Sequence, residues 1–273
     1  MIERNGMGED VESAYDAVVR DWGVPVRRVV VDGALARTRV LIAGDDAASP
    51  LLCLPGGGDT AASWCAQAAG LVRSHRVIAP DLPGDVGGSA RTGMRTHDDL
   101  PGWVDEVLDG VGAGKVRVLA HSYGAQIAVA HAAAHPERVV GLTLLDPTGV
   151  FVPLKPTTVL RALPLLAAPS GGRLRAYRRW ETRGHWPPCP AFGELAELAA
   201  GGPRPQLLVP KRPRPVDLDV LADLPGGVTV VVGLRSRYHD GAALARTVGQ
   251  RYPWMRVETL PVSHHQLPFA YRP

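Results

Sequence analysis

Residues 116–146 read VRVLAHSYGAQIAVAHAAAHPERVVGLTLLD, and this stretch decides the architecture. Val116, Val118, Leu119 and Ala120 make a short apolar run of the kind found in a strand covered on both faces. The alanine-rich segment after it is a helix, and VVGLTLLD is a second buried strand ending at Asp146. Strand, helix and strand in this order form one crossover unit of a parallel sheet. Ser122 stands at the hand-over from the first strand to the helix, between the small residues Ala120 and Gly124. A serine in such a sharp turn projects from the edge of the sheet, and only small neighbours fit around it. The plainer alternative is a serine that caps the following helix.

The rest of the chain extends this pattern. An amphipathic helix is expected around Val11–Trp22, and VRRVVVDGALARTRVLIAG reads as two antiparallel strands joined by a glycine-containing turn. PLLCLPGGGDTAASW and HRVIAPDLPGDVGGSA are apolar strands that run into glycine-rich loops. A helix follows with Trp103, Val104, Val107, Leu108 and Val111 on one face, and GVTVVVG and RVETLP supply the last strands. The chain is therefore α/β, a mostly parallel doubly wound sheet. Residues 147–215 lack strand signals and hold about half of the 25 prolines, which predicts a helical cap over the edge of the sheet where ligands sit. On this reading 1–146 and 216–273 form the core and 147–215 the cap.

Composition narrows the function classes. The 273 residues are 45% hydrophobic with a net charge of +3 and no concentrated basic run, so nucleic acid is not an expected partner. Cys53, Cys65 and Cys189 are odd in number and far apart, which argues against a disulfide framework or a zinc site. No membrane span and no secretory leader are expected, so the predicted location is cytoplasmic.

A serine that attacks a carbonyl generates an oxyanion, which needs donors already in place. The amide of Tyr123, at the helix start, is one candidate. The amide of Gly57, in the LPGGGD loop, is the other, because glycine lets the backbone approach closely.

Taken together, LLCLPGGGDTAASW, RVIAPDLPGDVGGSA, LAHSYGAQIAV and LPVSHHQLPF resemble the α/β-hydrolase family over nearly the whole chain. The resemblance implies an eight-stranded sheet, a cap inserted after the sixth strand, and a serine, acid and histidine in that chain order. It also implies a small-molecule substrate and no required metal or organic cofactor. The histidine loop of the family commonly reads PGAGHFLPF. Aligning the flanking prolines places His265 on the base and His264 on the glycine before it. The acid usually follows the seventh strand, where this chain has Ser236. Asp146, at the end of the sixth strand, and Asp240 are the two substitutes, and Asp146 is preferred because a strand end holds a side chain more firmly. His121 is expected to line the pocket, and His131, His135, His185 and His239 to lie on the surface. Arg173, Arg175, Arg178, Arg179 and Arg183 read as a solvated helix face or an anion-selective entrance.

The activity implied is that of a serine hydrolase acting on a small-to-medium, largely apolar ester or related acyl compound through an acyl-enzyme. A lyase, a cyclase or a carbon–carbon bond hydrolase in the same pocket is the alternative, and a non-catalytic binding protein a third.

Overall fold

The computed structural model describes residues 8–202 and 217–272. Helix α1 (Glu9–Arg20) precedes β1 (Val26–Asp32) and β2 (Ala36–Ala43). These are followed by β3 (Ser49–Leu54), α2 (Cys65–Leu71), β4 (His75–Pro80), the two-residue β5 (Ala90–Arg91) and α3 (Leu100–Gly110). Next come β6 (Val116–His121), α4 (Tyr123–Ala134) and β7 (Val139–Leu145). Three helices, α5 (Pro156–Ala167), α6 (Gly171–Glu181) and α7 (Pro190–Gly201), lie between β7 and β8 (Val228–Gly233). The chain closes with α8 (Gly241–Arg251), β9 (Arg256–Leu260) and the short α9 (Leu267–Ala270). The expected return to the core at residue 216 lies outside the described residues.

The strands form one sheet in the order β1-β2-β4-β3-β6-β7-β8-β9, with β5 paired to β2. β1, β2 and β5 pair antiparallel, and all neighbours from β4 to β9 are parallel. This is the predicted sheet, with β5 as an addition too short to register as a period-2 pattern. The inner parallel strands β3, β4, β6, β7 and β8 are buried on both sides, whereas β9 at the edge is half-exposed. Trp103, Leu108, Ile127, Leu244 and Val248 cover one face, and Tyr15, Trp22, Trp64, Leu71 and Leu267 the other. Among the described residues no helix is long and apolar enough to cross a membrane.

The geometry that matters for chemistry is at the C-terminal edge of this sheet. The Ser122 amide donates to the Leu145 carbonyl at 3.0 Å, and the Asp146 amide donates to the Val231 carbonyl at 2.8 Å. Each residue just past its strand thus stays in the hydrogen-bond ladder, and the spacing between the two is that of adjacent strands. The start of α4 is pressed equally hard against the end of β3. A Cβ on Gly124 would lie 2.5 Å from the Pro55 carbonyl oxygen and 2.6 Å from that of Leu54. Both are backbone atoms with nowhere to go.

Gly124→Ala is therefore expected to cost about 1–3 kcal/mol or more, as overpacking does in a tight interior. A matched change, Gly70→Ala in α2, meets open space and should be neutral or stabilising by up to ~1 kcal/mol through helix propensity. Thermal unfolding of the two variants checks the contrast.

Candidate active site

Ser122 has φ 54° and ψ −116°, a conformation that L-residues avoid. The turn from β6 into α4 forces it there, and the side chain leaves the sheet edge as the sequence pattern predicts. The loop after β3 closes over it. A Cβ on Gly56 would stand 3.3 Å from the Ser122 Cβ and 2.8 Å from the His121 Nδ1, so the loop approaches only because that residue is glycine. Gly57 lies over Tyr123, with a virtual Cβ 3.5 Å from the Tyr123 Cβ. The two residues named as amide donors are thus neighbours. The loop is held from below by Asp85, whose Oδ2 accepts from the Gly58 amide at 2.9 Å. Burial raises that carboxyl to a pKa of about 6.

The histidine beside the serine is His264, and the expectation of His265 is corrected. The Ser122 hydroxyl donates to His264 Nε2 at 2.9 Å, and His264 Nδ1 donates to Asp146 Oδ2 at 2.7 Å. The donors follow from the acceptor-only carboxylate, which fixes the imidazole tautomer. His265 turns the other way. Its Nδ1 bonds Glu181 Oε2 at 2.9 Å. Glu181 is fully buried and also accepts from the amides of His264 at 3.0 Å and His265 at 3.4 Å, and from the Ser263 hydroxyl at 3.5 Å. The histidines share a one-turn helix that spans 264–266, its start closed by reciprocal bonds between Ser263 and Gln266. In so tight a turn neighbouring side chains point about 120° apart, so only one can face the serine. Glu181, on α6, takes the other.

Asp146 is the carboxylate that the structure brings to the histidine; Asp240 is not. Asp240 is exposed and caps α8 by accepting from the Ala243 amide at 2.9 Å. Ser236, in the loop after β8, accepts from the Tyr238 amide at 3.3 Å. Two histidines expected on the surface are inside. His239 Nε2 donates to Asp146 Oδ1 at 2.9 Å, and His131 bonds Asp105 at 3.0 Å. His121 is also buried, and its Nε2 donates to the His264 carbonyl at 3.1 Å. Burial, followed by the charge of His264, pushes its pKa well down, in keeping with a neutral ring. Tyr238 stacks on His264 with centroids 4.0 Å apart.

The arginines of α6 divide. Arg175 is exposed and pairs with Glu197 on α7, whereas Arg178 is only 4% exposed and pairs with Asp59 at 3.0 Å. Asp59 belongs to the loop that carries Gly56 and Gly57. No spacing in the sequence singles out Arg178, Glu181 or His239, because each is defined by a partner about 80 residues or more away.

Burial acts on Asp146 to raise its pKa, but the hydrogen bonds and charges of His239 and His264 outweigh it and hold the carboxyl well below the usual range. A depressed native pKa means that this group adds stability above its unfolded value, about 4, and withdraws it as pH falls further. Asp146→Asn should therefore lose less melting temperature than the wild-type chain between about pH 5 and pH 3. Thermal melts across that window test it, and parallel slopes would show that Asp146 titrates normally.

A hydroxyl, an imidazole and a carboxylate in one continuous chain of hydrogen bonds can move a proton. Known proteins share this scaffold. A family model described as the alpha/beta hydrolase fold matches residues 49–185. The carboxylesterase YbfK of Bacillus subtilis (strain 168) is 26% identical over 170 residues, 62% of this chain and 56% of that protein. The 2-hydroxymuconate semialdehyde hydrolase of Pseudomonas sp. (strain CF600) is 36% identical over 111 residues, 38% of each. The chain thus spans about half or less of the length of these curated relatives. The crystal structure of naproxen esterase from Bacillus subtilis superposes with a TM-score of 0.86 at 20% identity, covering 96% of this chain and 93% of that one. The match to the family model, carried by the same strands, elbow turn and glycine loop described above, makes this chain a member of the α/β-hydrolase fold family.

Proposed function

We propose that the protein is a serine hydrolase that cleaves a small-to-medium, largely apolar ester or related acyl compound. The observation that carries this reading is the unbroken path from Ser122 Oγ through His264 to Asp146 Oδ2. In the reaction Ser122 attacks the acyl carbonyl while its proton passes to His264 Nε2. The imidazolium that forms is stabilised by Asp146, and it then protonates the leaving alcohol. The amides of Gly57 and Tyr123 receive the oxyanion, each donor contributing on the order of 10²–10³ in rate. Water, activated by His264, then releases the acid from Ser122.

Names among the similar proteins support the ester class, since two of them are a carboxylesterase and an esterase. A carbon–carbon bond hydrolase is the second reading, favoured by the 36% identity to the semialdehyde hydrolase over part of the chain. It would use the same residues. Residues 147–215, with α5, α6 and α7, act as the cap in this proposal. Through Glu181 and Arg178 that cap also shapes the site itself.

A fluorophosphonate probe is expected to label Ser122, as located by mass spectrometry. Labelling should vanish in His264→Ala and persist in His265→Ala; the opposite pattern returns the base to His265. On p-nitrophenyl esters, Asp146→Asn should lower kcat by up to about 10⁴, the scale for loss of the orienting carboxylate, and Asp240→Asn should change it little. A folded wild-type chain that neither reacts with the probe nor turns over esters removes the hydrolase reading.

A further inference from the structure

Asp146 is bonded by two histidines, and the proposed reaction uses only one. His264 Nδ1 takes Oδ2, and His239 Nε2 takes Oδ1 at 2.9 Å, beside the Gly233 amide at 3.0 Å on the same oxygen. His239 is 2% exposed, and its Nδ1 has no hydrogen-bond partner among the described residues. The ring is thus placed for Asp146 and for nothing else polar. It comes from the loop after β8, the position where the sequence resemblance leads one to look for the acid and finds Ser236. This loop supplies a donor to a carboxylate that β7 supplies.

We propose that His239 is a positioning residue that locks the Asp146 carboxylate, so that one oxygen is always directed at His264 and the other is never free to compete for it. The proposal rests on the serine-hydrolase reading. Two consequences follow from the geometry. Without His239, the carboxylate keeps only the Gly233 amide on Oδ1 and can turn about its terminal bond, so His264 loses its fixed orientation toward Ser122. The carboxylate would also become more basic, because each hydrogen bond to a carboxylate stabilises its ionised form. A more basic Asp146 holds the proton on His264 more tightly, so His264 remains charged to higher pH and cannot accept the serine proton there.

The charged and titratable groups around this pair come from several elements. His264 bonds Asp146 from the turn before α9, with His265 behind it turned to Glu181; His121 at the end of β6 and Glu181 on α6 are in electrostatic reach of Asp146. Tyr238 adjoins His239 on its own loop and stacks on His264, and Asp240 follows it with Lys155 and Arg246 in electrostatic reach. Apart from His264, which is already engaged on Oδ2, none of these hydrogen-bonds Asp146, so none can substitute for the lost donor on Oδ1 without moving.

The test compares His239→Leu and His239→Met, which lack the donor, with His239→Gln, whose amide can donate but does not titrate. The rate of fluorophosphonate reaction at Ser122 is followed against pH, and the downfield proton of His264 Nδ1 by NMR in the resting protein. The donor-less variants should remain folded but react at least about tenfold more slowly at the plateau, with the pH midpoint displaced upward and the downfield proton shifted or lost to exchange. His239→Gln should restore the rate to within about threefold and return the midpoint and the resonance. Wild-type rates and midpoints in His239→Leu or His239→Met overturn the proposal, as does a His239→Gln variant as impaired as they are. If neither donor-less variant folds, His239 is a folding residue and the positioning role is overturned. A wild-type protein inert to both the probe and esters would remove the hydrolase reading alone, since the resonance still reports whether His239 holds Asp146 against His264.

Discussion

The site depends on one buried carboxylate. Asp146 is fully enclosed, and an ion in that position is tolerated only if its lone pairs are met by donors. The Gly233 amide and the two histidines provide three, and its own amide is held by Val231. Because the sheet fixes the backbone and the donors fix the side chain, the position of His264 is set in the resting protein. Ser122 then has His264 Nε2 at 2.9 Å as its nearest acceptor, with the Thr148 hydroxyl farther off at 3.5 Å.

The second constraint comes from outside the sheet. Arg178 and Glu181 are three residues apart on α6 and so share one helix face. Arg178 holds Asp59 in the glycine loop, and Glu181 holds the backbone of the histidine turn. One helix thus fastens both loops that flank Ser122. A buried ion pair such as Arg178–Asp59 recovers little net stability once desolvation is counted. Its return here is positional, since it ties the inserted helices to the loop that brings Gly56 and Gly57 to the serine.

Much of this was legible in the sequence. The elbow around Ser122, the strand end at Asp146 and the glycine loop are local patterns, in which the signal and the structure it produces lie within a few residues. The parallel sheet followed from continuous apolar runs, and only the two-residue β5 escaped. The histidine was a different matter. Proline alignment locates the loop but cannot say which side of a one-turn helix faces the serine, and a displacement of one residue exchanges His264 for His265. That choice is made by Glu181, more than 80 residues earlier. His239 and Arg178 were hidden for the same reason. Buried histidines and arginines look like surface residues until their partners are known, and here the partners are carboxylates on other elements.

Ser122 and Asp146 share a further property, a positive φ, at 54° and 45°. Such conformations cost of the order of 1–3 kcal/mol each for residues other than glycine, and they persist where the surroundings over-determine them. The ladder explains why they persist together. Each residue keeps its amide bonded to the neighbouring strand while the chain must already turn away, Ser122 into α4 and Asp146 toward the inserted helices. A positive φ satisfies both demands at once, and it swings the side chain off the sheet edge into the space above. Two adjacent parallel strands ending in this way put a hydroxyl and a carboxylate on the same side of the same edge, a fixed distance apart. What is then required between them is a single imidazole, and the clamp of Glu181 on the histidine turn delivers it.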